Sequence, residues 1–95
     1  MHVEFVTYAT IRDSIGEKRL EREFDSGTTV GEALSALADE YESLGPLLFD
    51  GGGDLRPHVN VLVDEENVRN EDGAATTLTD GATVSLAPGV SGGQK

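Results

Sequence analysis

Residues 17–24 read EKRLEREF, and whether they form a helix or a strand decides the fold. Glu, Lys, Arg and Leu are good helix formers, so propensity alone favours a helix. The pattern favours a strand. Leu20 and Phe24 share one face at period two with Arg22 between them, while Arg19, Glu21 and Glu23 face the other way. The segment is short, and Asp25-Ser26-Gly27 closes it as a turn. A strand here pairs with the apolar, β-prone residues 2–8 (HVEFVTY). Thr10 to Gly16 connects the two, with one helical turn through Ile11 and Ile15.

A helix follows. Val30, Ala33, Leu34, Leu37, Ala38 and Tyr41 keep the spacing of one helical face over residues 29–42. Thr29 precedes the run and Glu32 lies three residues on, the pattern of a capping box. Glu32, Ser35, Asp39, Glu40 and Glu42 fall off the stripe and should meet water. Gly45-Pro46 is expected to stop this helix, and Pro46 to Asp50 is expected to add one apolar turn. Asp50 to Asp54 reads as a flexible glycine loop.

The second half is read as strands. His58 to Asp64 (HVNVLVD) places Val59, Val61 and Val63 on one face. Glu65 to Asn67 is expected to turn the chain, with Val68-Arg69 as a brief edge. Leu78 to Gly81 is a tight turn into Ala82 to Ala87, where Val84 and Leu86 point inward. Pro88 ends that strand, and Gly89 to Lys95 should be a mobile tail. Strand, strand, helix, strand, short strand, strand gives an α+β roll: a mixed sheet of four to five strands packed on one main helix. The expected core is Val3, Phe5, Leu20, Phe24, Val30, Leu34, Leu37, Val59, Val61, Val63, Val84 and Leu86. The expected division is one domain over 1–88 and a flexible tail over 89–95.

Composition narrows function. Ninety-five residues hold one core. No apolar run approaches membrane-spanning length, and the N-terminus lacks the features of a signal peptide. A cytoplasmic protein is expected. The absence of cysteine excludes a cysteine nucleophile, a disulfide or a thiolate zinc site in this chain. Eighteen acidic residues against seven basic leave a net charge of −11. That balance disfavours nucleic acid, which needs cations for its phosphates. Scattered acid with only two lysines, Lys18 and Lys95, suits a high-salt cytoplasm, where screening relieves self-repulsion. Neither His2 nor His58 sits in a catalytic pattern, and lone strand-end histidines are seldom ligands. Glu65-Glu66 and the Asp50/Asp54 pair read as solvated acidic loops, and no metal site is expected. Gly51-Gly52-Gly53 precedes no Lys-Ser/Thr, so it is not a phosphate loop. No self-contained active site appears.

The tail is different. Diglycine is cheap in a chain with 12 glycines, but its context is informative. A strand ending at Leu86 runs into Pro88, then Val90-Ser91-Gly92-Gly93. Proline and a β-branched valine favour an extended path. Two glycines then make a thread without side chains, able to enter a narrow channel and offer a carboxylate there. The alternative is an inert tail on a plain binding module.

The stretch from Arg56 to Gly93 resembles the small subunit of molybdopterin synthase (MoaD), the ThiS-like carriers and the small archaeal modifier proteins. The shared features are Asn60-Val-Leu-Val63, the Leu78-x-Asp-Gly81 turn, the strand after it and the diglycine end. Residues 5–16 (FVTYATIRDSIG) and the helix start Thr28-Thr-Val-Gly-Glu-Ala-Leu34 also look like that family. The resemblance implies a ubiquitin-like β-grasp fold and a protein that is a substrate of enzymes rather than a catalyst. A ubiquitin-activating-type (MoeB/UbaA-like) enzyme would use ATP to adenylate the terminal glycine; the domain itself would bind no cofactor. Sulfur transfer would then give a thiocarboxylate for molybdopterin or tRNA, or the glycine would be joined to lysines of target proteins. Carried onto this chain, Gly93 is the acyl-bearing residue and Gly92 its companion. Pro88, Val90 and Ser91 are the docked tail, and Leu86 and Leu62 belong to an apolar docking face. Partners would be the activating enzyme and either the synthase large subunit or conjugated targets, with the chain alone a monomer.

Two departures stand out. Pro88-Gly89 replaces the family's Pro-Pro, which should loosen the tail. Gln94 and Lys95 follow the diglycine, so a processing protease is expected to cut between Gly93 and Gln94.

Overall fold

The computed structural model describes residues 1–89. Residues 17–24 do contain a strand. The chain runs β1 (His2–Thr7), α1 (Ala9–Ile15), β2 (Arg19–Glu23), α2 (Val30–Glu40), α3 (Gly45–Leu48), β3 (Val59–Val63), β4 (Glu66–Asn67) and β5 (Ala82–Pro88). The five strands form one sheet in the order β2-β1-β5-β3-β4. β1 pairs antiparallel with β2 and parallel with β5, and β3 pairs antiparallel with β5 and β4. A hairpin, a crossing helix and a mixed sheet make the β-grasp roll.

The apolar alternation sets which face is covered. Val3, Phe5, Leu20, Val59, Val61, Ala82, Val84 and Leu86 are buried in one cluster with Val30, Ala33, Leu34 and Leu37 of α2. Phe24 and Val63 pack against it while partly exposed. The Phe5 and Phe24 rings meet edge to face, their centroids 6.1 Å apart. Arg22, between Leu20 and Phe24, also turns toward the helix. Its guanidinium grips Glu40 in a fork, Nη2 to Oε1 at 2.7 Å and Nε to Oε2 at 3.0 Å, and reaches Tyr41 Oη at 3.2 Å. That hydrogen bond holds the Glu40 carboxyl below its usual range.

The capping box forms in full: Thr29 Oγ1 accepts from Glu32 N at 3.2 Å, and Glu32 Oε1 accepts from Thr29 N at 2.9 Å. The helix ends earlier than expected. Tyr41 is already extended, and Gly45-Pro46 starts α3 instead of stopping α2. Proline fits a first helical turn because its missing N–H has no partner there.

Other expectations shift by a few residues. The connection after β1 is a seven-residue helix, with Ile11 and Ile15 buried one turn apart and Gly16 closing it at φ 88°. Asp64-Glu65 make the turn after β3, both at positive φ, so β4 is Glu66-Asn67, and Val68-Arg69 lie in a short 3-10 turn. Val68, Leu44, Leu48 and Leu78 join the core. The Asp50 to Asp54 loop is a built turn, with Asp50 Oδ1 accepting from Gly52 N and Asp54 N. No helix among the described residues is long and apolar enough to cross a membrane.

Candidate functional site

The strand that leads into the tail is the middle strand of the sheet. β5 is held on one side by β1 and on the other by β3, and its last residue, Pro88, lies opposite Val59. The tail therefore leaves from a strand hydrogen-bonded along both edges. The exit is fixed further by Tyr8 N donating to the Leu86 carbonyl at 3.1 Å. Thr7 is buried beneath it, and its hydroxyl donates to the Glu17 carbonyl at 2.6 Å.

Gly89 is not the loose joint that its replacement of a proline suggests. A Cβ on residue 89 would fall 2.1 Å from the His58 carbonyl oxygen. The two backbones touch, and only glycine permits the contact. The expected tail residues Val90, Ser91, Gly92 and Gly93, and the expected cleavage partner Gln94, lie outside the described residues.

The side of the sheet away from α2 is open. Registered partners run across it as a row: Arg19, Val6, Ser85, Leu62 and Asn67. With Tyr8, Thr83 and Ala87 the first four of these line a shallow depression of about 590 Å³, bordered by Asp64 and Glu65. Tyr8 is 42% exposed, and Lys18 Nζ stands 5.5 Å from the centre of its ring. Ala87 lies one residue before Pro88, so this apolar face runs up to the tail exit.

Leu62, expected on a docking face, lies on the outward face of β3. Leu86, expected there too, does not face outward. It points with Ala82 and Val84 toward α2 and is fully buried, because strand alternation cannot place residues 86 and 87 on one face. The outward residue beside the tail is Ala87. Val6, Tyr8, Arg19 and Ala87 were missed. The signal was available: they are the outward positions of the same alternation that placed the core.

At the opposite end of the sheet His2 sits between two carboxylates, Nδ1 to Glu23 at 2.8 Å and Nε2 to Glu21 at 3.1 Å. It is a surface ion cluster remote from the tail. Among the described residues no group of His, Asp and Glu is arranged to hold a metal.

Comparison with known proteins covers nearly the whole chain. The model of the ThiS family matches residues 6–93. The chain belongs to the ThiS family. The ThiS match ends on Gly93, and Gln94 and Lys95 lie beyond it. The chain is 41% identical over 93 residues to small archaeal modifier protein 3 of Haloferax volcanii, covering 98% of this chain and 100% of that one. It is 39% identical over 70 residues to the sulfur carrier protein CysO of Mycobacterium tuberculosis, covering 72% and 75%. The crystal structure of small archaeal modifier protein 1 from H. volcanii matches with a TM-score of 0.87 at 29% identity, covering 98% of this chain and 100% of that one. These ThiS-family relatives are ubiquitin-like modifiers and sulfur carriers.

Proposed function

We propose that the chain is a ubiquitin-like carrier that acts through the carboxylate of Gly93. The observation that supports this most is a family match running through Gly93 on a domain whose central strand feeds the tail. Gln94-Lys95 is first removed by a protease, since an amide carbonyl cannot be adenylated as a carboxylate can. An activating enzyme of the MoeB/UbaA type docks the open face around Tyr8, Leu62 and Ala87 and draws the tail into its channel. The Gly93 carboxylate attacks the α-phosphorus of ATP and releases pyrophosphate. AMP then leaves the acyl-adenylate as a nucleophile takes the acyl group, either a lysine amine of a target protein, giving an isopeptide bond, or sulfide-level sulfur, giving a thiocarboxylate. The domain contributes position and no catalytic group. It works as a cytoplasmic monomer that meets its enzymes by docking.

ATP–pyrophosphate exchange by the activating enzyme tests this. A chain ending at Gly93 should support exchange, and the chain ending at Lys95 should not. Equal exchange with both chains, or with neither, would sink the proposal. The second outcome would favour the rival reading, a binding module with an inert tail, for which the Gln94-Lys95 that follows the diglycine in the sequence is the supporting observation.

A further inference from the structure

A second depression, about 270 Å³, lies at the outer edge of β3, on the other side of the sheet from the open face. Leu55, Val59, Val61 and Val68 line it, and the arginines Arg56 and Arg69 border it. β4 covers β3 only opposite Leu62 and Val63, which leaves the strand edge near Val59 unpaired. Arg69 occupies that edge: Nη2 donates to the Val59 carbonyl at 3.2 Å and to the Arg56 carbonyl at 3.4 Å. Arg56 Nε in turn donates to the Pro46 carbonyl at 2.8 Å.

Eighteen carboxylates surround seven Lys and Arg residues. Arg19 and Arg22 are each paired with a carboxylate, Glu4 and Glu40. Among the described residues Arg12, Lys18, Arg56 and Arg69 form no ion pair with a carboxylate, and the last two border this one cleft, which Asp54 also lines. Arg56 and Arg69 are instead held by backbone carbonyls, which accept one nitrogen from each and leave the remaining guanidinium donors for something else. A guanidinium so held loses little further freedom when it meets a carboxylate.

We propose that this cleft docks a segment of a partner protein that carries an apolar side chain next to a carboxylate. The apolar side chain fills the floor between Leu55 and Val68, and the carboxylate takes the open donors of Arg56 and Arg69. In a chain of net charge −11 the two arginines outnumber the single carboxylate, Asp54, that lines this cleft, so an acidic segment is attracted here. The cleft lies on the other side of the sheet from the open face, sharing only Asn67 with its row, and its lining residues lie between positions 54 and 74. A partner can therefore hold the domain here while Gly93 is free or already linked.

Amide NMR titration of the full chain at low salt tests the proposal. The probe is a capped peptide of one leucine followed by three glutamates. Two controls replace the glutamates by lysines or the leucine by glycine. Shifts should concentrate in residues 54–61 and 67–74, and both controls should bind at least several-fold more weakly. Arg56→Gln should weaken binding about tenfold, the loss of one charge-assisted hydrogen bond, and Leu62→Ala should leave it unchanged. The amide spectrum of each free variant shows whether it has folded, and the peptide controls need no variant at all. The proposal is overturned if millimolar peptide leaves these residues unshifted, if the lysine peptide binds as well, or if Leu62→Ala removes binding.

Discussion

Gly89 lies so close to His58 that a side chain at position 89 would meet the His58 carbonyl oxygen at 2.1 Å. The contact fixes the backbone path at the end of β5. Gly89→Ala should force these backbones apart and cost about 1–3 kcal/mol of stability, in the range of overpacking substitutions. It should also slow adenylation of a chain ending at Gly93. Gly51→Ala, in open space, is the control and should be nearly neutral. Denaturant unfolding and pyrophosphate exchange measure both effects. A Gly89→Ala chain as stable and as active as the parent would show that this backbone path is unimportant.

Leu86 and Leu62 separate core from docking face. Leu86→Ala removes a fully buried side chain and should cost about 2–5 kcal/mol. Leu62→Ala, on the half-exposed outward face, should cost under about 1.5 kcal/mol and instead weaken capture by the activating enzyme. Chemical unfolding midpoints and the KM for the carrier read the two effects. The reverse ranking would put Leu86 back on the docking face.

The His2 imidazolium is stabilised first by its hydrogen bond to Glu23, against some desolvation, with the charges of Glu21, Glu23 and Asp80 adding to it. Its pKa is raised above the ordinary 6.5. A raised folded-state pKa stabilises the protein fully below the unfolded value, and the effect fades as pH rises through the raised one. The ring-proton NMR titration should therefore show a midpoint above 6.5 at low salt. Glu23→Gln should lower that midpoint, and so should added salt. A midpoint at or below the ordinary value would contradict the geometry around His2.

A net charge of −11 on 95 residues destabilises the compact state by self-repulsion. Adding salt should raise the unfolding temperature until screening is complete, because Glu4, Glu21 and Glu23 are crowded on neighbouring strands. Scanning calorimetry across a salt series measures it. A flat series would remove the halophilic reading.

The legible parts of the sequence are those where a single period governs several residues. Leu20, Arg22 and Phe24 betrayed β2 despite helix-forming neighbours, because the sheet needed that face. α2 was announced by its stripe and by Thr29 with Glu32. The misses have local causes. Asp64 and Glu65 both adopt positive φ, which glycine or asparagine would have signalled and glutamate does not. That moved the turn, and with it β4, away from Val68. Leu44, Leu48 and Leu78 are buried in segments too short to show a period. The outward position of Leu62 follows from the alternation of Val59, Val61 and Val63. Leu86 was placed on the docking face only by the resemblance, while the alternation already assigned it to the core, where it is buried. The edge role of Arg69 had no sequence signal, since its acceptors are backbone carbonyls ten and thirteen residues away.

The central claim is that Gly93 becomes the reactive end. The most direct test is the intact mass of the protein recovered from its native cells. Loss of Gln94-Lys95, together with thiocarboxylate or lysine-linked forms ending at Gly93, is the predicted result. A population that always ends at Lys95 and forms neither species would contradict it.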